Sequence, residues 1–205
     1  MSSRLYLYPI WLRLWHIVNA FLFLVLIATG ISMQYSNPDT PFIAFEQAVK
    51  WHNLSGIIVS LNYLIFLAGT LFTGNGKYYV VKCKGLFDEL KKQVIYYVYG
   101  TFKGQPTPFP VNENRKFNPL QKLTYVVTMF MLVPLIIVSG FALLFPETIV
   151  ENVFGLSGIY LTALLHGTVG FLLSMFLVIH IYFATMGTTA LSNFKSMATG
   201  WHEPH

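Results

Sequence analysis

Apolar residues in this chain do not alternate with polar ones; they run on. Four stretches are long and almost free of charge, at about 10–33, 54–73, 123–145 and 159–187. A helix needs ~20 apolar residues to cross the hydrocarbon core of a bilayer, and each stretch reaches that length. The pattern predicts an all-α integral membrane protein. It would be a four-helix bundle forming a single membrane domain over 1–205, with a long loop at 74–118 between the second and third spans.

Composition agrees. The 205 residues are 55% hydrophobic and only 10% charged, against about 25% charge in an ordinary soluble domain. Trp11, Trp15, Trp51, Tyr78 and Tyr79 fall at the ends of apolar runs. They fit interfacial aromatic belts, although ordinary packing would also place aromatics there. The first run follows Arg4 and includes Arg13, a basic start that it shares with signal peptides. Its apolar core is longer than the 7–15 residues of such a segment, and no A-x-A site follows it, so a retained helix is expected. Cys83 is the only cysteine. That excludes an internal disulfide, a C-x-x-C-H haem attachment site and an iron–sulfur cluster held by this chain alone.

Charge gives the orientation. Of 13 Lys and Arg, Arg4 and Arg13 open the first span, nine lie between the second and third, and Lys195 follows the fourth. Only Lys50 lies in the other set of loops, which instead hold Asp39, Glu46, Glu147 and Glu151. The positive-inside rule then puts both termini and the 74–118 loop in the cytoplasm. The net charge of +5 reports topology and contact with anionic membrane lipid. A nucleic-acid site is not indicated, because the basic residues flank spans. Within the loop, 88–99 is apolar on one side and charged on the other, as in a helix lying on a membrane surface. The Pro-rich 105–110 reads as an extended connector.

Four of the six histidines fall at or inside the apolar runs: His16, His52, His166 and His180. An imidazole in lipid is expensive and tends to face the protein interior and bind something. His166 and His180 share one uninterrupted run. Fourteen residues of helix rise ~21 Å and turn to about 40° short of four full turns, so both rings lie on nearly one face, one near each membrane surface. His16 is near the start of an outward-running helix, and His52 near the start of an inward-running one. Matching depth pairs His16 with His180 on the inner side and His52 with His166 on the outer side.

Two imidazoles without a carboxylate or thiol at their depth are thin for zinc, which takes four ligands. Haem supplies four equatorial nitrogens and needs two axial ones, and an iron so filled passes electrons rather than binding substrate. Ala20, Gly56, Gly167, Gly170 and Ala184 lie beside the four histidines. They leave room for a flat macrocycle, or simply permit close helix packing. The competing reading of the histidines is structural hydrogen bonding or a proton relay. Arg13, one turn before His16, could partner a haem propionate or act as a topology anchor. His202 and His205 lie in a polar tail and are expected to be solvated.

At these residues the chain resembles the di-haem cytochrome b membrane subunits of respiratory formate dehydrogenases, nickel–iron hydrogenases and thiosulfate reductases, within the bacterial cytochrome b561 group. The resemblance rests on Arg13-Leu-Trp-His16-Ile-Val-Asn19, Trp51-His52, Phe117-Asn118-Pro119-Leu120-Gln121-Lys122, His166 and His180. It implies two haem b groups ligated by the four histidines, in a bacterial inner (cytoplasmic) membrane. It also implies a quinone site, for menaquinone or ubiquinone, at Asn118, Gln121 and Lys122. The family motif there is Tyr-Asn-x-x-Gln-Lys, and Phe117 replaces its tyrosine. The residues themselves allow a plainer role, with Asn118-Pro119 capping the third helix and Lys122 snorkelling. The resemblance further implies an outer-facing iron–sulfur or multihaem cytochrome c partner. The chain would then be the electron-transfer subunit of an oxidoreductase complex. Two other functions remain open at this point: a stand-alone superoxide:quinone oxidoreductase on the same scaffold, and a haem-free anchor or transporter.

Overall fold

In the computed structural model, which describes residues 4–202, the protein is all-α. Its helices are α1 (Ile10–Tyr35), α2 (Phe45–Phe72), α3 (Leu86–Ile95), α4 (Pro119–Leu144), α5 (Gly158–Ala184) and α6 (Ser192–Thr199). Two short antiparallel pairs accompany them: β1 (Leu5–Tyr6) with β4 (Trp201–His202), and β2 (Asn152–Val153) with β3 (Leu156–Ser157). The helices α1, α2, α4 and α5 are each long and apolar enough to cross a membrane.

Three of these four follow the apolar runs closely. The fourth, α2, begins at Phe45, well before the run that starts at Leu54. Hydrogen bonding, not hydropathy, ends a helix, and Glu46 in the first turn favours the positive end of the helix dipole. His52 therefore sits about two turns inside α2, not at its start. In α4 the third span is continuous but contains a π-turn at Thr128–Leu132. Pro134 follows immediately; it has no N–H to give and crowds the preceding turn, which accounts for the local rewinding.

The described residues divide into two compact units. One comprises the residues up to Arg13, Gly69–Phe130, and those from His180 onward; the other comprises Leu14–Ala68 and Met131–Ile179.

In the second unit, a polar clasp joins α1 to α2. Trp15 Nε1 donates to Asn62 O at 2.9 Å, and Asn62 Nδ2 donates back to Trp15 O at 3.2 Å. The clasp satisfies polar groups that lipid would leave stranded. Beside it, the Trp15 ring packs on Phe66, whose side chain is wholly buried. The loop after α1 is tied down by Ser32, whose Oγ accepts from Ile43 N at 2.9 Å. Between α4 and α5 the β2–β3 hairpin turns on Phe154 (φ 51°) and Gly155 (φ 82°), the two positive values that a tight primed turn requires.

In the first unit, β1 pairs with β4 through Leu5↔His202 and Tyr6↔Trp201, bringing the two ends of the described chain together. Gly200 closes α6 at φ 89°, and its carbonyl accepts from both Leu7 N and Tyr8 N. Gly69 on α2 gives Trp11 its place: a Cβ there would lie 2.5 Å from the indole ring. The predicted amphipathic segment is helical over α3 and continues through short turns to Lys103.

Candidate functional site

Two imidazoles meet in the second unit. His52 of α2 and His166 of α5 have ring centroids 6.2 Å apart, with planes at 69°. Each is held from behind by a hydroxyl on a neighbouring helix. Thr29 Oγ1 of α1 lies 2.9 Å from His52 Nδ1, and Ser139 Oγ of α4 lies 3.0 Å from His166 Nδ1.

The direction of these bonds follows from where each hydroxyl proton goes. Thr29 Oγ1 donates to Val25 O at 2.7 Å, and Ser139 Oγ donates to Leu135 O at 2.8 Å. This is the usual back-bond of a hydroxyl within a helix. A hydroxyl has one proton; spent on the helix carbonyl, it leaves each oxygen to accept from the histidine, and each ring also has a backbone hydrogen bond, His52 to Leu26 and His166 to Ile136. Nδ1 of each ring is then the N–H, and each Nε2 carries a lone pair suited to a metal.

That donor set could hold one metal between the two rings. With metal–nitrogen bonds of about 2.1 Å and an imidazole radius of about 1.2 Å, two rings sharing a metal have centres about 6.6 Å apart. The observed separation is 6.2 Å. Among the described residues, no cluster of three or more His, Cys, Asp or Glu is present. Two imidazoles could complete the coordination of a metal carried in a macrocycle that brings its own four nitrogens.

Glycines let the rings approach. A Cβ at Gly30 would lie 3.6 Å from His52 Cε1, and one at Gly140 only 3.1 Å from His166 Cε1. Neither these glycines nor Thr29 and Ser139 stand out in the sequence. The available signal was a repeated hydroxyl–glycine dipeptide, Thr29-Gly30 and Ser139-Gly140, in two apolar runs. Of the small residues singled out from sequence, Gly170 meets Ile136, while Gly56 and Gly167 meet nothing within 4 Å.

His180 belongs to the first unit and His16 to the second. Tyr125 OH of α4 lies 3.4 Å from His180 Nδ1, with the rings edge to face at 5.9 Å. His16 is half-buried on α1, edge-on to Trp15. Arg13 Nη1 donates to Ala198 O at 2.6 Å. A cation in that position suits the last turn of α6. Its Nε is buried with no hydrogen-bond partner among the described residues. His202 is buried in β4, which corrects the expectation of a solvated tail: strand pairing with Leu5 covers it. His205 lies outside the described residues.

The three residues expected around a quinone are placed as follows. Asn118 and Gln121 form a capping box at the start of α4: Asn118 Oδ1 accepts from Gln121 N at 2.9 Å, and Gln121 Oε1 accepts from Asn118 N at 3.2 Å. Asn118 Nδ2 also donates to Tyr97 OH at 2.7 Å. Lys122 Nζ is 3.4 Å from Val80 O.

Lys116, next to this motif, is 6% exposed. Its Nζ donates to Asn75 Oδ1 at 3.0 Å and sits 4.3 Å above the Tyr78 ring and 5.7 Å from that of Tyr8. Burial, and then the charge of Lys77, hold its ammonium down to about 8. Burial also pushes Tyr79 up to about 12, against the opposing hydrogen bond from Asn75. Tyr97 is raised by burial too, opposed by its bonds to Asn118 and Gln93.

The family model described as prokaryotic cytochrome b561 matches residues 7–200. The chain is 32% identical to the Escherichia coli (strain K12) protein titled "Putative cytochrome YdhU" over 201 residues, which is 98% of this chain and 76% of that protein. No solved structure matches the chain.

Proposed function

The chain belongs to the prokaryotic cytochrome b561 family, and we propose that it carries electrons across the bacterial inner membrane between an outer-facing redox partner and the quinone pool. Membership gives the coarse part: a multi-pass bacterial membrane protein, in contact with lipid, in which electron transfer across the membrane rests on b-type haem. The finer part is our reading. His52 and His166 would hold one haem, and His16 and His180 a second. The observation that carries the reading is the facing pair of imidazoles, 6.2 Å apart, each with Nδ1 within hydrogen-bond distance of a hydroxyl, which would leave Nε2 for the metal.

When bound, haem would supply reversible one-electron chemistry, with His52 and His166 holding one group and His16 and His180 the other. The chain's own residues do the rest. The four spans separate the two pairs of histidines by depth, as argued from the charge bias that places both termini and the 74–118 loop in the cytoplasm. The outer pair lies toward the loops that would receive an iron–sulfur or multihaem cytochrome c subunit. Asn118, Gln121 and Lys122 would bind the quinone headgroup on the cytoplasmic side, where protons are available. Moving one charge through the membrane field is worth ~2.3 kcal/mol per 100 mV, so an inward flow of electrons conserves energy and an outward flow dissipates it.

Two substitutions in the purified protein test this assignment. His166→Ala should remove one b-type centre and leave the other spectrally intact. His180→Ala should remove the other centre, together with reoxidation by quinone. Two unchanged b-type centres in both variants would refute the ligand assignment.

A further inference from the structure

The site contains one device twice. On α1, Thr29-Gly30 faces His52; on α4, Ser139-Gly140 faces His166. The two copies agree closely: hydroxyl to Nδ1 at 2.9 and 3.0 Å, and hydroxyl to its own helix carbonyl at 2.7 and 2.8 Å. Both residues are nearly inaccessible, at 2% and 3% exposure.

We propose that Thr29 and Ser139 are positioning residues that set the redox potential of the centre held by His52 and His166, with Gly140 as the residue that fixes how closely His166 may lie. The proposal rests on the functional reading above and extends it. A ligand whose N–H is hydrogen-bonded to an acceptor becomes a stronger donor to the metal. A stronger donor favours the oxidised, more positive iron. Both axial ligands receive this treatment, so the two effects add in the same direction and hold the potential down. The glycines make an asymmetric forecast: a methyl at 3.6 Å from His52 is ordinary contact, whereas one at 3.1 Å from His166 forces the ring to move.

The test is a spectroelectrochemical titration of the whole purified chain, with haem content and the low-spin ferric EPR signal measured on the same samples. Thr29→Val and Ser139→Ala remove the hydroxyls; Thr29→Ser and Ser139→Thr restore them. Each removal should raise the potential of one centre and not the other. A tenfold change in the oxidised-to-reduced ratio corresponds to about 59 mV for one electron. The restoring variants should return to the wild-type value. Gly140→Ala should shift the EPR signal of that centre, and Gly30→Ala should not. If Thr29→Val loses one haem while Thr29→Ser keeps both, the hydroxyl is needed to hold the ligand, which also supports the proposal. Unmoved potentials in both removal variants at full haem content would overturn it while leaving the functional reading intact. A wild-type chain without haem would overturn both.

Discussion

Replacing Lys116 by Met should make the protein's stability respond differently to pH, and the size of the difference follows from the lysine's surroundings. In the folded chain its ammonium is held down to about 8 from an ordinary 10.5, mainly by burial. Between those values the unfolded chain binds more protons than the folded one, so stability rises with pH. Below pH 8 the penalty of burying the charge is fully present; it is relieved as pH climbs through 8 toward 10.5. Each pKa unit is worth about 1.4 kcal/mol, which gives at most about 2–3 kcal/mol between pH 7 and pH 10. The buried tyrosines act in the opposite sense. Tyr79, raised to about 12, contributes stability that is complete below pH 10 and is lost as pH rises through 12. Comparison with Lys116→Met cancels that contribution, because Met keeps the stem against Tyr78 and Tyr8 but cannot titrate. The assay is thermal unfolding in detergent at pH 7, 8, 9 and 10. The wild type should gain roughly 5–10 °C on the variant across that range, at about 2–4 °C per kcal/mol for a chain of this size. Parallel curves would show that Lys116 is not a buried ammonium with a depressed pKa.

Three further outcomes are expected. Lys122→Ala should slow quinone turnover while both haems are retained; unaltered turnover would remove Lys122 from the quinone site. Asn118→Ala should cost about 1 kcal/mol through loss of the helix cap and should also free the Tyr97 hydroxyl, which a melt and a pH titration of tyrosine absorbance would detect. Gly69→Ala should lower the melting temperature by the equivalent of about 1–3 kcal/mol, because its methyl would fall 2.5 Å from the Trp11 ring; an unshifted melt would mean that the indole moves aside freely.

The spans were legible because burial in lipid imposes length and continuity on the apolar runs, and nothing else in the chain imitates that. The start of α2 was not legible: Phe45–Asn53 is polar enough to read as loop, and only its backbone hydrogen bonds make it helix. The candidate ligands were visible because an imidazole is out of place in an apolar run. Their supports were not. Thr29, Gly30, Ser139 and Gly140 are unremarkable on their own helices, since small and hydroxyl residues are common in membrane spans. They acquire a role only when another helix brings a histidine ring against them. Asn118 shows another case: the helix cap that the sequence allowed is formed, while the contact from its amide nitrogen to Tyr97 had no signal in the sequence.

The claim on which everything else depends is that the chain holds two b-type haems between its own spans. A pyridine haemochrome assay on the purified polypeptide, set against its amino-acid content, measures this directly. Two haem b per chain is the predicted result. A colourless preparation, or one haem per chain that survives the loss of His166 and of His180 alike, would contradict it.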